Sequence, residues 1–343
     1  MVVLSLHLAC SLAWRPALSR QLSASSRAVG VRTRKPLACE ASFARQTDPP
    51  ARRPASAATA AATLPPKPDG IVVAYKPTNW TSFDVVAKAR GCLEADLKKA
   101  GHTFRRRSRL KVGHGGTLDP LAEGLLVLGI GAGCKGLEGY LKGGKAYRAT
   151  ARLGTETDTQ DSSGAITRSE PAEHVTLAAL RDAAAGLTGS ILQRPPIYSA
   201  LKRGGKPLHE LARAGKIEEG DVEPRRVTVH SLEVSRFDAE SGSFELLVDC
   251  AGGTYVRTLI VDLGRAVGSA AHMTGLVRTR VGPFRCEGDA DGERADRATL
   301  VQPLRETDFG DPARYHEAMA ESAEVLRVVE RRGGAGSEEQ GWE

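Results

Sequence analysis

At 343 residues, with 41% hydrophobic and 26% charged residues, the chain has the composition of a soluble globular protein of one or two domains. That excludes a disordered chain, a collagen-like fibre and a small disulfide scaffold. The net charge of +7 is unevenly spread: residues 1–68 carry +8, residues 305–343 carry −5, and residues 69–304 keep +4. Such a modest excess permits an RNA-binding face without demanding one.

Residues 1–68 are rich in Arg, Ser, Ala and Pro and hold only two acids, Glu40 and Asp48. This is the composition of an organelle-targeting presequence. The apolar stretch at residues 2–14 is too short to span a membrane, so no membrane association is expected. Pro65, Pro66, Pro68 and Gly70 mark the end of a linker. A short buried strand follows at residues 71–75. Thr81 or Ser82 then caps a helix through Val85, Val86 and Ala89, with Asp84 in its first turn.

Residues 101–109 form a basic connector bearing Arg105, Arg106, Arg107 and Arg109. Asp119-Pro120 is expected to open a second helix over residues 121–128, with the carboxylate as its cap and proline at the first helical position. Residues 146–153 predict a strand and 175–185 a helix. Residues 227–237 and 244–250 predict an antiparallel pair in which Phe244, Leu246, Val248 and Cys250 share one face. Residues 255–267 predict a helix with Leu259, Leu263 and Val267 on one side. Strands and helices without regular βαβ alternation indicate an α+β fold. Residues 305–343 read as an acidic tail with one short helical pattern, too short for a further domain.

The six cysteines include no C-x-x-C pair and the eight histidines no H-E-x-x-H, so neither a metal nor a disulfide framework is expected. Two other patterns lead nowhere. Gly139-x-x-x-x-Gly144-Lys145 has the outline of a phosphate loop, but Ala146 follows where a hydroxyl is needed, and the segment runs into a strand. Residues 125–133 (LLVLGIGAG) lack the spacing of a dinucleotide site.

The informative run is residues 111–131, KVGHGGTLDPLAEGLLVLGIG. Its glycines permit close backbone approach or unusual dihedrals, and on spacing alone Asp119 is either a helix cap or a reactive carboxylate. G-H-G-G-T-L-D-P-L-A-E-G-L-L resembles the catalytic motif of the TruB family of pseudouridine synthases. Further matches follow in the family's order. They are IVVAYKPTNWTS at residues 71–82, KAYR at 145–148 with RLG at 152–154, TDTQD at 157–161, PPIYSALK at 195–202 with Gly205-Lys206, GTYVRT at 253–258, and LVRTRVGPF at 276–284. Seven ordered motifs over about residues 70–285 are highly specific.

The resemblance implies a pseudouridine synthase fold, a mixed and largely antiparallel central sheet flanked by helices and loops, spanning residues 69–304. It implies isomerisation of uridine to pseudouridine in the T-loop of tRNA, without cofactor or metal, by a monomer. Asp119 would be the nucleophile and Arg257 its cationic partner. Tyr147 would stack on the target base, and in one mechanism its hydroxyl takes a ribose proton. Leu276 would pack on the other side of the uracil and Tyr255 would line the pocket. His114 would fill the gap left by the flipped base, and Lys202, Lys206 and the Arg105–Arg109 run would contact phosphates. Gly115 stands where many relatives carry Thr or Ser and is typical of cyanobacterial-like members. Together with the presequence this favours a plastid over a mitochondrion. The same chemistry on rRNA or mRNA, and a non-catalytic tRNA-folding chaperone, are the alternatives; intact Asp119, Tyr147 and Arg257 weigh against the second.

Overall fold

The computed structural model describes residues 64–286 and 299–333. The expected presequence lies outside the described residues up to position 63, and residues 64–69 run as coil into the first strand.

In chain order the elements are β1 (Gly70–Lys76), α1 (Ser82–Lys99), β2 (Val112–His114), β3 (Glu123–Ile130), α2 (Leu137–Lys142), β4 (Lys145–Leu153), β5 (Thr155–Thr157) and β6 (Ile166–Ser169). They continue with α3 (Leu177–Gly186), β7 (Gly189–Gln193), β8 (Lys202–Arg203), β9 (Lys206–Pro207), α4 (Leu208–Arg213), β10 (Arg225–Asp238) and β11 (Ser243–Cys250). The last are α5 (Val256–Ala266), β12 (Ala271–Val281), β13 (Phe284–Cys286), β14 (Leu300–Val301) and α6 (Pro312–Gly333).

One large sheet organises the chain, in the order β1-β3-β12-β4-β11-β10-β7, with β2, β13 and β14 attached at the β3–β12 end. Most neighbours are antiparallel; β12 with β3 and β13 with β14 are parallel. This is the α+β class anticipated from the element pattern, with the mixed, largely antiparallel sheet that the resemblance implies. Helices α3 and α5 cover one part of the sheet, burying Leu180, Leu259, Ile260 and Leu263 against Leu246, Val248 and Met273. Helices α1 and α6 cover the β1–β3 end, where Val85, Val86, Ala89 and Tyr315 meet Val72, Leu126 and Leu128.

Local chemistry explains the helix starts. Thr81 caps α1 in a reciprocal box: its hydroxyl accepts from Asp84 N at 3.1 Å, while Asp84 Oδ2 accepts from Thr81 N at 2.8 Å. The hydroxyl bond from Thr81, with its backbone bond, holds the Asp84 carboxyl below the usual range. Phe244, Leu246, Val248 and Cys250 are all buried on one face of β11, as the alternation predicts.

Two expectations are corrected. Residues 121–128 are not a helix: after a single turn closed by Ala122 N to Asp119 O (3.1 Å), the chain enters β3. Leu125, Leu126, Val127 and Leu128 are each 0% exposed. A strand buried on both faces has the continuous apolar run that also suits a buried helix. Gly124 settles the matter, because it takes φ 110° and lies so close to β12 that a Cβ would sit 2.3 Å from Arg278 O.

The segment after residue 304 carries a longer helix than the short pattern expected, α6 at Pro312–Gly333. Tyr75 N donates to Leu304 O and Leu304 N to Val73 O, so this segment pairs with the open edge of β1. Phe309, Tyr315, Ala318 and Val325 are then buried by α6 against the body.

Candidate active site

The loop at residues 115–122 is held from two sides. On one side, Leu118 N donates to Ser82 Oγ at 2.8 Å, at the start of α1. On the other, the turn after β1 grips Pro120: Asn79 N and Lys76 Nζ donate to Pro120 O at 2.8 and 3.2 Å. Asn79 takes φ 65° to make that turn, a conformation asparagine tolerates well. The segments 71–82 and 111–122, separate in sequence, thus form one scaffold around Asp119.

Asp119 projects from this loop with its side chain 34% exposed, and Oδ2 lies 2.9 Å from Arg257 Nε. The Arg257 side chain is only 4% exposed, in the first turn of α5. The pair is ionic by distance, while the Nε–H direction falls outside hydrogen-bond geometry. The rest of the guanidinium is fixed by backbone carbonyls: Nη1 donates to Thr159 O at 2.6 Å and Nη2 to Tyr198 O at 3.0 Å. The segments TDTQD and PPIYS therefore aim Arg257 at Asp119. Asp161 shapes the first of them by accepting from Thr159 Oγ1 and from Ser163 N.

Tyr147 is buried on β4 and shares a cluster with Leu118, Ala122 and Leu276. Leu276 is 8% exposed and lies opposite Ala149, two residues along from Tyr147. Tyr147 itself lies opposite Arg278. Burial pushes the phenol up to about 12, Cys250 and Asp119 push the same way, and Arg278 opposes them by charge and hydrogen bond. The tyrosine is therefore neutral at ordinary pH.

Tyr255 immediately precedes α5. Its backbone N donates to Gln193 Oε1 at 2.8 Å, and the Arg225 guanidinium lies 5.5 Å from its ring centre. His114, on β2, is half-buried; burial and Arg278 hold its imidazole below the ordinary range, and its Nδ1 has no partner. The neutral ring is suited to stacking and to one further hydrogen bond. Lys202 and Lys206 are exposed on the β8–β9 hairpin, whose turn is made by Gly204 and Gly205 at φ 58° and 80°. Arg105, Arg106 and Arg107 are exposed, but Arg109 is committed to Glu94 at 3.0 Å.

Three buried cations below the loop were given no role by sequence reasoning. Lys76 is 0% exposed and donates to Pro77 O, Trp80 O and Pro120 O. Lys145, 5% exposed, donates to Leu141 O and Gly143 O, which is what the phosphate-loop look-alike does. Burial lowers each amine to about 8. Arg278 donates from Nε to Leu125 O at 2.8 Å and from Nη2 to Gly116 O at 3.2 Å. Their signal was available: each is a cation ending or interrupting a run of buried residues. Gly115 also has a local reason, since a Cβ there would lie 2.8 Å from Tyr140 Cβ on α2. Among the described residues no cluster of His, Cys, Asp or Glu could hold a metal.

The arrangement is a carboxylate with a buried cationic partner, flanked by an aromatic and an aliphatic side chain. Comparison with known proteins gives this geometry a context. Residues 98–256 match the family described as TruB family pseudouridylate synthase (N terminal domain). Residues 257–296 match the tRNA pseudouridylate synthase B C-terminal domain. A protein of Aromatoleum aromaticum named tRNA pseudouridine synthase B is 48% identical over 219 residues, 64% of this chain and 65% of that protein. A protein of the same name from Corynebacterium aurimucosum is 45% identical over 227 residues, 66% of this chain and 71% of that one. The chain thus spans about two thirds of the length of these curated relatives. Among solved structures, that of a Cbf5-Nop10-Gar1 complex aligns with TM-score 0.50 and 26% identity, over 75% of this chain and 62% of that one.

Proposed function

The chain belongs to the TruB family of pseudouridylate synthases, and from that membership we propose that it isomerises uridine to pseudouridine in the T-loop of tRNA. The observation that carries the reading is the Asp119–Arg257 pair at 2.9 Å, with one member buried and the other open to the pocket. The buried guanidinium is the charge complement of a carboxylate nucleophile. With Nη1 and Nη2 committed to backbone carbonyls, Arg257 also fixes the direction from which Asp119 can attack. No step in this scheme calls for a metal or cofactor.

The target uridine is stacked in RNA and must be extruded, at a cost of a few kcal/mol. Tyr147 and Leu276 supply the aromatic and aliphatic contacts for the extruded base. His114 occupies the gap the base leaves. Tyr255 lines the approach, and Lys202 and Lys206 contact phosphates from the hairpin. Relatives named tRNA pseudouridine synthase B support tRNA as the substrate. The basic N-terminal segment is read as a plastid presequence; fusion of residues 1–68 to a fluorescent protein tests it, and a cytosolic signal would refute it.

The test is a pseudouridine map. The purified chain is incubated with an unmodified tRNA transcript, and pseudouridine is located by carbodiimide adduct formation and primer extension. A stop at the T-loop uridine, absent with Asp119→Ala, is expected. A folded, tRNA-binding protein that gives no stop would overturn the assignment and direct the search to rRNA, mRNA or a chaperone role.

A further inference from the structure

Arg278 is 1% exposed, yet among the described residues it makes no ion pair with any acid. Burying a guanidinium without a carboxylate is costly, and an apolar side chain of similar volume would serve packing better. What the position offers instead is a junction. Arg278 lies directly opposite Tyr147 across the β12–β4 pairing and opposite Gly124 across the parallel β12–β3 pairing. Its guanidinium reaches Leu125 O on β3 and Gly116 O on the loop carrying Asp119, and the β12–β4 register sets its side chain beside that of Tyr147 on β4.

Two glycines make the junction possible. Gly124 removes the side chain that would strike the Arg278 backbone, and Gly116, at φ 134°, lets the loop pass over the guanidinium; a Cβ on Gly116 would sit 3.5 Å from Arg278 Nη1. The charged neighbours on all sides leave few alternatives. Lys145 is a like charge, Asp119 is held by Arg257, and Cys250, a buried thiol on β11, lies opposite Lys145.

We propose that Arg278 is a positioning residue for the reaction, joining the Tyr147 hydroxyl to the carbonyl oxygen of Gly116 so that the base platform and the Asp119 loop are set in one register. The inference rests on the reading of the chain as a pseudouridylate synthase and names a device of that site. Arg278 does not touch the substrate. It acts through Tyr147 and through the loop, so its effect depends on the tyrosine hydroxyl being present.

The test is a double-mutant cycle in single-turnover reactions with enzyme in excess over tRNA, using wild type, Tyr147→Phe, Arg278→Met and both together. Arg278→Met is expected to lower the chemical rate about 100-fold, the cost of an ångström-scale misplacement, while tRNA affinity changes by less than about threefold. In the Tyr147→Phe background the same substitution is expected to cost at most about tenfold, because the bond to the hydroxyl is already gone. Arg278→Lys keeps the charge but cannot span both partners; it is expected to lose rate rather than affinity, and it carries the test where Arg278→Met does not fold.

A second readout needs no activity. In protein labelled with 3-fluorotyrosine, the Tyr147 resonance, identified by its loss in Tyr147→Phe, is expected to titrate at higher pH in either Arg278 variant. Multiplicative rate losses together with an unmoved resonance would overturn the proposal and leave Arg278 a structural residue. Absence of pseudouridine formation by wild type would instead overturn the functional reading, and the fluorine titration would still report on the Arg278–Tyr147 contact.

Discussion

Replacing Lys76 by methionine isolates what the buried ammonium does beneath the Asp119 loop. Its Nζ has three protons and three acceptors, Pro77 O, Trp80 O and Pro120 O at 2.8, 2.6 and 3.2 Å. Methionine fills the space but leaves those carbonyls without this donor, at roughly 1–3 kcal/mol each where they are buried. The offset is relief of the ammonium's desolvation. The lysine falls from 10.5 to about 8, and that shift corresponds to about 3.4 kcal/mol. The net expectation near neutral pH is a loss of about 2 kcal/mol.

The pH dependence gives the sharper signature. Because the folded value lies below the unfolded one, the unfolded chain binds more protons between pH 8 and 10.5, and wild-type stability rises across that window. Lys145, lowered to the same value, adds a like rise that both proteins share. Urea denaturation of wild type and Lys76→Met near neutrality and near pH 10 should therefore show the gap between them widening by up to about 3 kcal/mol. A gap of zero, or one that stays flat with pH, would refute the reasoning.

Arg257→Lys keeps the charge beside Asp119 but cannot hold Thr159 O and Tyr198 O together, so kcat should fall by about 100-fold with KM little changed; steady-state kinetics on tRNA check it. Gly124→Ala places a methyl group 2.3 Å from Arg278 O at φ 110°, and thermal unfolding should show a loss of about 3 kcal/mol or more. Burial raises Asp262 on α5 to about 6, with Glu219 and Glu156 adding to the rise. A raised carboxyl gives stability at acid pH that is lost as pH climbs through 6, so Asp262→Asn should stabilise the protein at neutral pH by about 1–2 kcal/mol, allowing for its partial exposure. The advantage should vanish near pH 4 in denaturation curves.

Much of this was legible in the sequence where one physical signal stood alone. A cap at Thr81 or Ser82 with Asp84 in the first turn marked α1, and the apolar stripe through Leu259 and Leu263 marked α5. Alternation at Phe244, Leu246, Val248 and Cys250 marked β11. The run at residues 121–128 misled because two signals competed: Asp119-Pro120 looks like a helix start, and LLVL suits any element buried all round. Its Gly124 and Gly129 argued for a strand, and close backbone contacts explain both. In the segment after residue 304 a short helical pattern was legible, but acidity hid how far it runs, through Tyr315, Ala318, Ser322 and Val325, all buried. The Asp119–Arg257 contact joins positions far apart in the chain, and no local periodicity encodes it; the ordered motifs were its only trace. Lys76, Lys145 and Arg278 escaped because a buried cation satisfied by carbonyls has no partner residue to look for.

The proposed isomerisation turns on the Asp119 carboxylate, held by Arg257. The most direct measurement is tritium release from tRNA labelled at carbon 5 of uridine, since that hydrogen is lost when carbon replaces nitrogen at the glycosidic bond. Asp119→Asn, isosteric and uncharged, should bind the tRNA with wild-type affinity and release no tritium above background, while wild type releases one equivalent per tRNA molecule. Release by Asp119→Asn at the wild-type rate would contradict that role.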